Sequence, residues 1–108
     1  MTIVYDGMLA QATLVKATLT EVVAGHATAP CKVNITICNI GGGNASIDLA
    51  IAATGAPAAA KYILKGYALQ AKKTLFIQGL NMTAAEIVQA RSSIAGTTVR
   101  VDGEHYTA

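Results

Sequence analysis

The chain has 108 residues, 53% of them hydrophobic, with one Phe, four Tyr and no Trp, so it holds one core, and that core is built from Ala, Val, Ile and Leu. Only 13% of residues are charged and the net charge is +2, about half the charged share usual in globular domains. A surface so poor in charge resists association badly, which points to contact with other protein. The basic residues are scattered and adjacent only at Lys72-Lys73, which speaks against the clustered basic face of a nucleic-acid binder; no run reaches the ~18 apolar residues of a membrane span.

In chain order, M-T-I-V-Y-D-G-M-L-A has no basic n-region, so no secretory signal is expected and the protein is read as made in the cytoplasm. Residues 1–10 are expected to form an extended N-terminal arm or strand, with Ile3 and Tyr5 as candidate subunit contacts. Thr13 to Val23 alternates Leu14, Lys16 and Thr18 with Val15, Ala17 and Leu19, a second strand-like stretch. In Cys31 to Cys38, Val33, Ile35 and Ile37 alternate with Lys32, Asn34 and Thr36, the pattern of a half-buried strand rich in β-branched residues. Ser46 to Ile51 alternates again, with Ile47, Leu49 and Ile51 inward. Joined by Gly41-Gly42-Gly43 and Asn44, these two segments are expected to make a β-hairpin.

The segment Ala53-Thr54-Gly55-Ala56-Pro57 reads as a loop contacting a neighbouring subunit. After Pro57, Ala58 to Leu64 is rich in helix formers and predicts one short helical turn or an edge segment. Gln70 to Lys73 is a polar turn before a strand at Thr74 to Ile77. Thr83-Ala84-Ala85-Glu86 has capping-box spacing, yet a lone helix there has no apolar stripe with which to pack on a sheet. A strand over Glu86 to Ser93 is therefore preferred. The last expected strand is Thr98 to Asp102, closed by Gly103, with Asp102 to His105 as a solvated tail. Short strands with turns at such intervals predict an all-β protein: a single β-sandwich domain, jelly-roll or Ig-like, of about 7–8 antiparallel strands and at most one short helical turn.

Cys31 and Cys38 are seven positions apart. On one strand this odd separation places them on opposite faces about 23 Å apart at ~3.3 Å per residue, too far for an internal disulfide. Cys31 shares a face with Val33 and Ile35 and should be buried. Cys38 should face outward, where a second subunit can reach it, and is the remaining candidate contact residue.

The residue patterns that carry chemistry are missing their parts. Gly41-Gly42-Gly43 has no following Lys for a P-loop, and Gly41-x-Gly43-x-x-Ser46 lacks the third glycine of a dinucleotide turn and leads into a strand. No cofactor is expected. His26 and His105 are far apart and no CxxC or HxxxH spacing occurs, so no metal site is expected. Neither cysteine carries a catalytic signature, and six scattered acids do not define a carboxylate pair. The three Asn-x-Ser/Thr triplets at Asn34, Asn44 and Asn81 matter only in a secreted eukaryotic protein. The protein is expected not to be an enzyme and to take no small-molecule substrate.

V-N-I-T-I-C-N-I at Val33 to Ile40, A-K-Y-I-L-K-G-Y-A-L-Q-A-K-K-T-L at Ala60 to Leu75, and A-G-T-T-V-R-V-D-G at Ala95 to Gly103 together resemble small β-sandwich structural proteins of tailed-bacteriophage virions. The resemblance runs from Thr18 to Tyr106. Two departures are that Val22-Val23-Ala24-Gly25 lacks the family's proline and that His26 to Pro30 exceeds the usual link. The resemblance implies a virion protein of the head, neck, collar or tail, present as a homo-oligomeric trimer or ring beside other virion proteins, without nucleic acid or membrane. It transfers no catalytic residue. The alternative is a carbohydrate- or receptor-binding sandwich, in which clustered Tyr5, Tyr62, Tyr67 or Tyr106 would supply the platform for a sugar ring.

Overall fold

The computed structural model describes residues 2–14, 16, 18–24, 30–54, 57 and 59–107, and of these only the backbone at 2–10, 23, 24 and 105–107. Eight strands follow one another: β1 (Thr2–Thr13), β2 (Thr20–Ala24), β3 (Cys31–Asn39), β4 (Ala45–Ala52), β5 (Tyr62–Leu69), β6 (Thr74–Met82), β7 (Ile87–Ser92) and β8 (Thr97–Thr107). A single 3-10 turn, Ala59–Lys61, precedes β5, as the helix formers after Pro57 suggest.

Four antiparallel pairs are nested: β1 with β8, β2 with β7, β3 with β6, and β4 with β5. They are successive lengths of one long two-stranded ribbon whose tip is the β4–β5 connection. Rolling the ribbon on itself adds the β3–β8 and β4–β7 pairs. Two four-stranded sheets result, ordered β1-β8-β3-β6 (sheet 1) and β2-β7-β4-β5 (sheet 2). This order is that of a jelly roll, which decides between the two sandwich types that alternation alone allows.

The core lies between the sheets. Val33, Ile35, Ile37, Val99 and Val101 enter it from sheet 1, and Ile47, Leu49, Ile51, Val88 and Ala90 from sheet 2, all buried. The alternation read for Cys31 to Cys38 therefore holds, with Cys31 buried and Cys38 half-buried on opposite faces. In β4 the outward residues are buried too, Asp48 at 9% and Ala50 at 0% exposure. Small alanines let the ribbon tip turn back close to this face, where Gln89 Nε2 donates to the Thr54 carbonyl at 2.7 Å.

Several expectations need correction. Cys38 and Ser46 do not flank a hairpin: β3 belongs to sheet 1 and β4 to sheet 2, so the glycines cross from one sheet to the other. Asp102 to His105 is no solvated tail, and Gly103 ends nothing, because β8 continues to Thr107 between β1 and β3. Gly103 is needed there because a Cβ would collide with the Lys32 carbonyl oxygen on β3. The strand expected from Thr13 is replaced by the end of β1 and the later β2, and the N-terminal segment is strand rather than arm. Residues 15, 17 and 25–29, including His26, lie outside the described residues.

The strand preferred over a helix at Glu86 to Ser93 is β7. The capping-box contact still forms, without its helix: Glu86 Oε1 accepts from the Thr83 N–H at 2.7 Å across the turn before β7. Local spacing set that hydrogen bond, while pairing with β2 and β4 set the backbone beyond it.

Candidate functional site

Sheet 1 presents an open outer face. Residues opposite each other in adjacent strands share a face, so the register places Gln11, Arg100, Thr36 and Phe76 in one row across it. The next row is Thr13, Thr98, Cys38 and Thr74. A depression of about 310 Å³ lies here, lined among others by Gln11, Thr13, Thr36, Cys38, Thr98 and Arg100. Cys38, selected by parity alone, thus sits in the one row of this face that is otherwise all threonine. Arg100 at the rim pairs with Asp102 two positions along its strand, Nε to Oδ2 at 3.4 Å.

Phe76 completes the row on β6 and is 67% exposed. Its neighbours Leu75 and Ile77 pack against the core, and alternation turns the ring between them outward. Ile63 and Tyr67, on β5, are 44% and 41% exposed. The exposed large apolar groups on strands thus fall on β5 and β6, the outermost strands of the two sheets, joined by the turn Gln70 to Lys73.

Both outermost strands are broken by the same device. Opposite Asp48, β5 holds an extra residue: Ile47 faces Tyr67 and Leu49 faces Leu64. The bulge contains Gly66 at φ +68, whose N–H donates to Asp48 Oδ1 at 2.8 Å. Opposite Asn34, β6 repeats it: Val33 faces Leu80 and Ile35 faces Ile77. Gly79 at φ +70 donates to Asn34 Oδ1 at 2.9 Å. In each case the positive φ suits glycine, and an oxygen from the adjoining strand satisfies the N–H that the bulge displaces. An isolated glycine inside an alternating run is the sequence signal for such a bulge.

The glycine crossing is organised by Asn39. Fully buried, it donates through Nδ2 to the carbonyls of Gly43 at 2.8 Å and Leu69 at 3.1 Å, and its Oδ1 accepts from the Gly41 N–H at 3.0 Å. Its backbone bonds to Lys73 and Lys72 in the β5–β6 turn. One side chain therefore ties the β3–β4 crossing to the β5–β6 turn, and no carboxamide valence is left for a ligand. The glycines line no phosphate site, because they lead into β4 and no helix N-terminus follows them.

The remaining candidates are dispersed. Ala53 and Thr54 are exposed and Pro57 is half-buried at the ribbon tip, while Gly55 and Ala56 lie outside the described residues. Ile3 and Tyr5 belong to β1, opposite Tyr106 and Glu104, with backbone alone described. The four tyrosines divide between the sheets, Tyr5 and Tyr106 in sheet 1 and Tyr62 and Tyr67 on β5 in sheet 2. Tyr62 is covered by Lys65, whose Nζ sits 4.4 Å from the ring centroid. Among the described residues no group of three or more His, Cys, Asp or Glu is placed to hold a metal ion, and no helix is long and apolar enough to cross a membrane.

No protein-family model matches the chain, and no curated protein or solved structure matches it either.

Proposed function

We propose that the protein is a non-enzymatic structural component of a bacteriophage virion, assembling in multiple copies by protein–protein contacts on the head, neck, collar or tail. The observation that carries this reading is the flank formed by β5 and β6, where Ile63, Tyr67 and Phe76 stand exposed on strands that end their sheets. Large exposed apolar groups on a surface with little charge mark places where other protein packs. The jelly-roll order adds a fold-level analogy, since viral capsid domains use it, as do lectins and cupins. Mass spectrometry of purified particles from the phage that encodes the chain should recover it in multi-copy stoichiometry. Recovery only from the particle-free lysate would overturn the reading.

The threonine-lined depression favours a second reading, a carbohydrate- or receptor-binding module. Arg100, Gln11 and the threonine hydroxyls offer hydrogen bonds, and Phe76, in the Arg100 row, offers the exposed ring that Tyr62 does not. Glycan-array binding that is abolished by Arg100→Ala and by Phe76→Ala would favour it over the assembly reading; an array without signal would remove it.

A further inference from the structure

We infer that the protein pairs with a second copy of itself through the free edge of β6, strand against strand about a two-fold axis at Phe76, so that two sheets of four become one sheet of eight. This deepens the assembly reading above and rests on it, since a structural protein of this kind is built from repeated contacts between like copies.

The free edge is open to a strand. β6 ends sheet 1, and among the described residues no strand pairs with its far side. Which backbone groups point outward follows from the ladder. The Asn39 N–H donates to the Lys73 carbonyl and the Lys72 N–H to the Asn39 carbonyl, and hydrogen-bonded pairs alternate along an antiparallel ladder. Ile37–Leu75 and Ile35–Ile77 are then the bonded pairs of β3 and β6. The N–H and C=O groups of Thr74, Phe76 and Gln78 point the other way, toward the free side.

That edge lacks the usual protections against pairing, which are charge, shortness and bulges. From Thr74 to Met82 there is no charged residue, and the single register shift opposite β3 falls after Ile77. The other free edges are guarded. β5 carries Lys65 and two register shifts, and β2 has five residues, Glu21 and a shift. On β1 the register shifts twice, between Tyr5 and Gly7 and between Met8 and Ala10.

A second copy is the occupant because the edge is self-complementary. A two-fold axis at Phe76 sets Phe76 opposite its twin, Leu75 opposite Ile77, and Thr74 opposite Gln78. The paired residues keep to one face: Leu75 and Ile77 stay on the core side, and the others stay outside. A slip by one residue would mix the faces. Each outward N–H meets a C=O of the twin strand, and the two Phe76 rings, exposed in the single chain, cover one another. No like charges are brought together, and no charge asks for a different partner. Cys38 lies one strand inward, on β3, so the two copies of Cys38 stand three strand spacings apart, about 14 Å at ~4.8 Å each and beyond disulfide reach. This pairing therefore needs no Cys38 bridge.

The test uses the full chain over a wide range of concentration, by size exclusion with light scattering and by amide hydrogen exchange. The expected result is a concentration-dependent dimer in which the amides of Thr74, Phe76 and Gln78 gain protection. Phe76→Lys should weaken the dimer by roughly a hundredfold or more, the order expected from uncovering two buried rings, with thermal unfolding of the monomer unchanged. Ile63→Lys on β5 and Cys38→Ser should leave the dimer intact. A monomer at every concentration, a dimer that survives Phe76→Lys, or open-ended oligomers of the kind a β6–β1 contact would generate would each overturn the inference. The virion reading fails separately, if the chain is missing from purified particles whatever its oligomeric state.

Discussion

β5 and β6 invite comparison because they are built alike and end differently. Each closes a sheet, each carries a left-handed glycine in a bulge, and each has that glycine held by an Asx oxygen of the adjoining strand. On β5 the holding residue is Asp48, buried, with the Lys65 ammonium 3.3 Å from its Oδ2. On β6 it is Asn34, exposed and neutral. The β5 bulge thus carries charge and a second irregularity beside it, whereas the stretch of β6 before its bulge remains straight and uncharged. The same backbone device protects one edge and only limits the length of the other.

The largest effect is expected where the two strands are tied together. Asn39→Ala removes the acceptor for the Gly41 N–H and the donor for the Gly43 and Leu69 carbonyls, all at a fully buried position. Leaving such groups unpaired costs about 1–3 kcal/mol each, so a loss of about 3 kcal/mol or more is expected in urea unfolding. A loss below 1 kcal/mol would mean that the crossing and the turn hold together without it.

The bulges themselves give a smaller and graded pair. Asp48→Ala should cost about 2 kcal/mol, because the Gly66 N–H loses a partly buried partner, and Asn34→Ala about 1 kcal/mol or less, because water reaches the Gly79 N–H. The ion pair adds little to the first figure, since the Lys65 side chain is 65% exposed. Equal losses by denaturant titration would show that burial does not separate the two sites.

The smallest effects should be the same in both strands. Gly66→Ala and Gly79→Ala place a Cβ where nothing stands closer than 3.8 Å, so only the left-handed backbone is strained. Each should cost about 1 kcal/mol. A much larger loss at Gly66 would point to the second register shift beside it.

The local half of this fold was readable because burial writes a period of two into a strand. Val33, Ile35, Ile37 and Ile47, Leu49, Ile51 announce their faces, and Cys38 its outward direction, from parity alone. The strand at Glu86 to Ser93 was reachable by asking what a lone helix would pack against. The partner of each strand was not readable. Three glycines and an asparagine serve a hairpin within one sheet or a crossing between two, and the choice depends on Leu69 and Lys73 reaching Asn39 from thirty or more positions away. Asp102 to His105 looks like a polar tail because its residues are hydrophilic, yet β1 and β3 flank it on both sides. Phe76 as an exposed ring followed from the parity of Leu75 and Ile77, but its place at a free edge did not.

By itself the sequence determined an all-β chain with an aliphatic core, little surface charge and the inward face of its central strands, because those properties belong to residues and their immediate neighbours. The tertiary structure alone decided the nested pairing of β1 with β8 through β4 with β5, the crossing made by the Gly41 to Gly43 run, and which edges are left open. Backbone hydrogen bonds between strands are the same for any residue but proline. Pairing is therefore settled by how the whole ribbon rolls to bury both faces of the core, and no short stretch contains that information.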